Sequence, residues 1–226
     1  MAAFVQAPPP VITPTVTSQA LAFGVDVTVG DMLFAFVREV SPQTVTDNLG
    51  DGVPWTRLAP YWGNNTPPDK GIWAKIAGSS GPCTVTAQTG TSGTARLAIR
   101  EYSGVSINTV AAPVTLTNTA GASSTVSVGP TSPIPAGSLV IAGGSAPLST
   151  TLAAGAASPN SNLVKLDSTA NGIIGIEDEV NWAGGTCTAT MVTGAATTLD
   201  MFVIAFDIIR SDAAAVIPRT GHFGPF

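Results

Sequence analysis

Apolar residues in this chain alternate with polar ones, or run together for the length of a strand; they do not recur at helical spacing. DMLFAFV (31–37) is a continuous apolar run after Gly30, the pattern of a strand buried on both faces. CTVTAQTG (83–90), ARLAIREYSG (95–104) and STVSVG (124–129) are alternating or β-branched and are bounded by Gly, Ser and Pro. No long stretch carries a helical period with caps at its ends, so the fold class is all-β.

The pattern also repeats. A segment beginning WAKIAGSSGPCTVTAQTG at Trp73 resembles one beginning WAGGTCTATMVTG at Trp182. From Cys83 onward the two run in register. Cys83 matches Cys187, Thr84 and Thr86 match Thr188 and Thr190, and Gly90 matches Gly194. Leu97, Ile99 and Tyr102 match Met201, Val203 and Phe206. GDMLFAFV at Gly30 likewise resembles GSLVIAGG at Gly137. These matches predict two related halves, about 22–105 and 126–210, that pair sheet on sheet into one antiparallel β-sandwich over 21–210. Cys83 and Cys187 hold equivalent strand positions, which favours two small buried thiols over a disulfide.

Both ends differ from this core. Residues 1–20 are rich in Pro and Thr and read as an extended arm; residues 211–226, SDAAAVIPRTGHFGPF, read as a second. The arms retain apolar residues, so Phe4, His222, Phe223 and Phe226 are candidates for docking on a neighbour, against the alternative of plain tails.

Composition narrows the function classes. Charged residues make up 10% of the 226, against about 25% in ordinary globular proteins, and the net charge is −5. With a mean hydropathy of +0.34, this suits a membrane protein or a β protein partly covered by partners. The longest apolar run near the C-terminal end, Met201 to Phe206, is cut off by Asp200 and Asp207, too short to span a bilayer. The first residues carry no basic start and no apolar stretch of a secretory signal. Nine scattered basic residues give no footprint for nucleic acid. The expected partners therefore include neither a membrane nor nucleic acid.

Candidate chemistry is sparse. The one histidine, His222, sits in the terminal arm, so histidine-based zinc sites and triads cannot be assembled. Carboxylate chemistry would draw on Glu39, Glu101, Glu177, Asp178 and Glu179. IEDEV (176–180) alternates so that at least one acid faces inward, and an acid pair for binding or edge protection suits it better than catalysis. No catalytic residue and no cofactor is assigned. VTDNLGDGVPWTRLA (45–59) has Asp47, Asp51 and Gly52 at EF-hand spacing, but leucines stand where two ligands belong. A hairpin turn at 47–50 is the plainer reading, with an irregular calcium site on Asp47 and Asp51 left open. YWGNNTPPDKGIW (61–73) places Tyr61, Trp62, Asn64, Asn65 and Asp69 in one Pro-bounded loop, a candidate contact for a partner or glycan. The alternative is that Trp62 covers the open end of the sandwich.

VTDNLGDGVPWTRLA, WAKIAGSSGPCTVTA and IREYSGV together resemble a jelly-roll-like β-sandwich of tailed-phage virion proteins, also found in bacterial surface proteins. The family pattern is Asp-Asn-x-Gly-Asn-x-Trp, a Trp-Ala strand and Glu-Tyr-Ser-Gly-Val. Glu101 to Val105 match in full, while DGVP is inserted before Trp55. The resemblance covers about 22–210. It implies a non-enzymatic virion structural protein, a capsid decoration or minor tail component, assembled in the host cytoplasm. Its partners would be other virion proteins and further copies of itself as a homo-oligomer. The rival reading is a module that binds host-surface glycan.

Overall fold

The computed structural model describes residues 2–38, 43–60, 62, 69–117, 123–146, 151–155, 161–168 and 172–209, and no helix occurs among them. Its sheets are antiparallel and curled. A seven-stranded first sheet contains β1 (Ala3–Gln6), β2 (Val11–Ala22), β3 (Met32–Arg38), β4 (Gln43–Asp47), β5 (Thr56–Arg57), β6 (Lys70–Ile76) and β7 (Thr84–Ser103). Its main path runs β1-β7-β3-β6-β5, while β2 and β4 flank the other end of the 20-residue β7.

A second sheet runs β12 (Ser161–Ser168), β13 (Gly172–Glu179), β10 (Leu139–Ala146), β15 (Asp200–Ile208), β8 (Val105–Leu116). A third has β14 (Ala189–Thr197) between β11 (Leu152–Ala154) and β9 (Ser123–Val128). The expected strand at 31–37 is β3, whose every residue is buried.

Three apolar clusters separate these layers. Leu33, Val37, Trp73, Leu97 and Ile99 face Val45, Cys83, Val85 and Ala87, so the first sheet folds over onto itself around a core of its own. Val140, Val203 and Ala205 of the second sheet face Val126, Ala189 and Met191 of the third. Between the first and second sheets lie Phe34, Phe36, Ile72, Ile141, Ile176, Phe202 and Phe206. Alternation along β3 and β10 sends successive side chains to opposite clusters, which is why β3 reads as an unbroken apolar run and β10 opens on one from Leu139 to Ala142.

The N-terminal segment lies inside the first sheet rather than outside the core as an arm. Phe4 pairs with Tyr102, and Val11 to Ala22 pair with Leu97 to Thr84 along β7. The strand residues 11–20 thus extend the β core well before position 21. Pro14 fits because the ladder is broken between Thr13 and Val16, where a missing N–H costs no bond, and Thr15 there takes φ 57°.

The hairpin expected at 47–50 does not form. β4 pairs with β7 and β5 pairs with β6, so residues 48–55 cross between two parts of the sheet. β13 is an interior strand between β12 and β10, which removes the edge-protecting role for its acids. Residues 211–226, with His222, Phe223 and Phe226, lie outside the described residues, as do Tyr61, Asn64, Asn65 and Glu39.

Candidate functional site

Charged side chains concentrate in the layer between the first and second sheets. Residues opposite one another in antiparallel strands point to the same face. Arg38 is opposite Lys70 and Arg96, and Phe34 is opposite Ala74 and Arg100, so these cations share the face that carries Phe34 and Phe36. On the second sheet Ser145 is opposite Asp200, and Ile141 is opposite Asp178 and Ile204.

Two ion pairs join the sheets. Lys70 Nζ lies 2.6 Å from Asp200 Oδ2. Arg100 donates through Nη1 to Asp178 and through Nη2 to the Ile176 carbonyl, while the Tyr102 hydroxyl donates to Asp178 Oδ2 at 2.7 Å. Burial, opposed by Arg100 and reinforced by Asp178, holds the Tyr102 hydroxyl well above the usual phenol range. In both pairs the cation comes from the first sheet and the acid from the second.

Asp69 and Trp62 belong to the same layer. Asp69 is buried and pairs with Arg38 at 3.1 Å and Lys70 at 2.5 Å. Burial, then the charge of Arg38, push the Arg96 guanidinium down to about 9, with Asp69 opposing. Trp62 is 7% exposed; its ring stacks on Phe36 at 9° and meets Phe202 edge-on. A sugar needs an open aromatic face, and this ring has none to offer, so Trp62 is corrected from glycan contact to core. Phe4, read as a docking residue for a neighbour, packs on Tyr102 and under the Arg100 guanidinium of its own chain.

The stretch 45–59 is organised by a lysine. Asp47 Oδ2 accepts from Trp55 Nε1 (2.7 Å) and Lys75 Nζ (2.9 Å), and its Oδ1 caps the Leu49 amide. Asp51 accepts from Lys75 Nζ with both oxygens and from the amides of Val53 and Gly78. Asn48 Oδ1 accepts the Thr84 amide. The ammonium of Lys75, 1% exposed, therefore sits where a cation between the two acids would sit. Burial alone would raise Asp51 and lower Lys75. For Asp51 the Lys75 hydrogen bond and the Val53 and Gly78 amides outweigh it, holding the carboxyl at about 2, and for Lys75 the hydrogen bonds and charges of Asp51 and Asp47 hold the ammonium above its usual value. Val45, Val53, Pro54 and Trp55, together with Asp47 and Asp51 of the knot, line an open groove of about 370 Å³.

The remaining acids are enclosed. Glu101 is fully buried and accepts from the Thr28 amide (2.9 Å) and Gln6 Nε2 (2.5 Å). Asp31 beside it is pushed up to about 6, first by burial and then by the charge and hydrogen bond of Glu101. Glu177 and Asp178, adjacent on β13, are both buried but face opposite clusters, so they do not form a pair around one reacting centre. Glu179 ends the strand, half-buried. Cys83 and Cys187 are unbonded and buried, and burial pushes their thiols up to about 12 and about 11.

The cations Lys70, Lys75 and Arg100 were not among the residues singled out from sequence. For Lys75 and Arg100 the signal is a charge inside an apolar strand, as in WAKIAG and ARLAIREYSG, which calls for a buried partner; Lys70 stands at the start of its strand beside Asp69 and carries no such signal. No family model, no curated protein and no solved structure matches the chain.

Proposed function

We propose that the protein is a non-enzymatic structural component of a tailed-phage virion, a capsid decoration or minor tail protein, built from two copies of one jelly-roll-like unit. The observation that carries this reading is the use of its acids. Asp47, Asp51, Asp69, Glu101, Asp178 and Asp200 are all engaged inside the fold, each with donors of its own chain. Such a chain is furnished to hold a shape against its neighbours.

The duplication is supported by matched pairings. The order β1-β7-β3-β6-β5 parallels β8-β15-β10-β13-β12, and β2-β7-β4 parallels β9-β14-β11. Isolated bridges recur at Val27↔Gly81 and Ile134↔Gly185. The Gly30 amide bonds to the Ala77 carbonyl as Gly137 does to Trp182, and Phe23 to Cys83 as Thr131 does to Cys187. On this reading the units are β1–β7 and β8–β15, wider at their N-terminal ends than the repeats at 22–105 and 126–210.

The test is immunogold labelling and blotting of purified phage particles with antibody against the chain. Label on heads assigns decoration and label on tails a minor tail role; absence from the blot overturns the proposal. A second reading, a host-adhesion module that binds glycan, is favoured by the groove beside Trp55, in place of the loop at 61–73. It predicts glycan-array binding that Val53→Arg, a substitution in the groove wall, abolishes.

A further inference from the structure

Lys70, Asp69 and Asp200 meet at one end of the layer between the two larger sheets. Lys70 Nζ lies 2.5 Å from Asp69 Oδ1 and 2.6 Å from Asp200 Oδ2, and the three side chains are 1%, 4% and 4% exposed. Asp200 Oδ1 accepts no hydrogen bond among the described residues. Beside them stands an apolar wall. Trp62 pairs with the Lys70 backbone in both directions, and its ring meets Phe36 and Phe202. A lysine held against one carboxylate, with a second carboxylate in reach of the same nitrogen and little water nearby, has the parts required to form an amide.

We propose that Lys70 Nζ and Asp200 Cγ become joined by an intramolecular isopeptide bond, with Asp69 carrying the proton. In the dry site the ammonium passes a proton to Asp200, giving a neutral amine and a carboxylic acid. The amine lone pair attacks Cγ and a tetrahedral centre forms. Asp69 takes one proton from the nitrogen and delivers it to the hydroxyl on Cγ. The C–OH bond breaks, water leaves, and the carbonyl re-forms as an amide; Asp69 returns to its starting state. The sum is ammonium plus carboxylate giving amide plus water, with no oxidant or other reactant.

Two effects favour the step. It removes two buried charges whose desolvation opposes folding, and the fold holds Lys70 Nζ 2.6 Å from Asp200 Oδ2, an oxygen bonded to the carbon to be attacked. Lys75 is the contrast. Both oxygens of Asp51 already accept from Lys75, with the Val53 and Gly78 amides adding to them, and its ammonium is held charged, so that pair remains an ion pair. The bond would tie β6 to β15 across the central layer, a clamp of use to a protein that must outlast its host.

Mass spectrometry of the denatured full-length protein tests this without reference to any particle. The expected intact mass is one water below that of the sequence, and a tryptic digest contains a branched peptide linking Lys70 to Asp200. Lys70→Arg and Asp200→Ala are expected at their full sequence masses. Full mass for the unsubstituted protein overturns the proposal. So does a lost water that persists in Lys70→Arg, which would instead mark a succinimide, as Asp51-Gly52 could form. If the variants do not fold, the presence or absence of the branched peptide in the unsubstituted protein decides alone.

Discussion

Replacing Asp178 by Asn tests whether the ion pair at the centre of the molecule is held by charge or only by shape. Asn is nearly isosteric and can still accept from the Tyr102 hydroxyl, so the perturbation is the loss of one negative charge. Arg100 is 1% exposed and Asp178 fully buried, so no water takes over the guanidinium. Removing one member of such a pair costs about 3–5 kcal/mol, because the other charge stays buried without its counter-ion. Tyr102→Phe deletes the hydroxyl's bond to Asp178 and the long 3.5 Å one it accepts from Arg100, and is expected to cost less, about 1.5–3 kcal/mol. Arg100→Met/Asp178→Leu removes both charges and fills the space, and is expected within about 2 kcal/mol of the unsubstituted protein.

Guanidinium unfolding followed by circular dichroism reads all four proteins, with the slope checked for constancy. Against a total stability of about 5–15 kcal/mol, the Asp178→Asn shift is large. Two results would refute the reasoning: an Asp178→Asn cost below about 1 kcal/mol, the range of a solvated surface pair, or a double variant destabilised as much as Asp178→Asn.

Two further outcomes follow from the same geometry. Lys75→Met leaves Asp47 and Asp51 facing each other, and the amides of Leu49, Val53 and Gly78 are expected to exchange with deuterium far faster while the Ile99 amide in β7 stays protected; unchanged exchange at 49–53 would mean the lysine does not organise the loop. Asp31 is pushed up to about 6 in the folded chain, so between its unfolded value near 3.8 and pH 6 the folded state holds more protons. Stability contributed by that proton is present below about 3.8 and is lost as pH rises to 6; Asp31→Asn should flatten this fall in denaturation midpoints measured from pH 4 to 7, and an unaltered slope would reject the assignment.

Much of the strand content was legible because alternation and strand-length apolar runs are local signals. MLFAFV lies within β3 and STVSV within β9. Cys83 and Cys187 were legible as buried thiols because the repeat placed both in the same local frame. Pairing was harder. PPPVITPTVTSQ looked like an arm since its prolines mask a strand, and only the bulge at Thr13–Val16 shows how Pro14 is accommodated. Trp62 looked exposed because its neighbours in sequence are polar, whereas the rings that bury it, Phe36 and Phe202, are remote along the chain. Asp47 and Asp51 suggested a metal loop because the cation that joins them, Lys75, arrives from another strand.

The continuity of β7 has a consequence for how the molecule comes apart. One backbone serves as the centre of one layer and, further along, as the partner of β2 and β4 in the layer facing it. To peel β2 and β4 away is to loosen the rod on which β3 is strung, so Val85 and Ile99 should open as one cooperative block. β14 and β15 divide the same work between two strands with Thr198 and Leu199 between them. That break is a tear line: the three-stranded sheet can detach while the second sheet stands, and hydrogen exchange at Met191 should then outpace that at Val203. A single uninterrupted strand thus makes one region of the protein all-or-none and leaves the other able to yield in two steps.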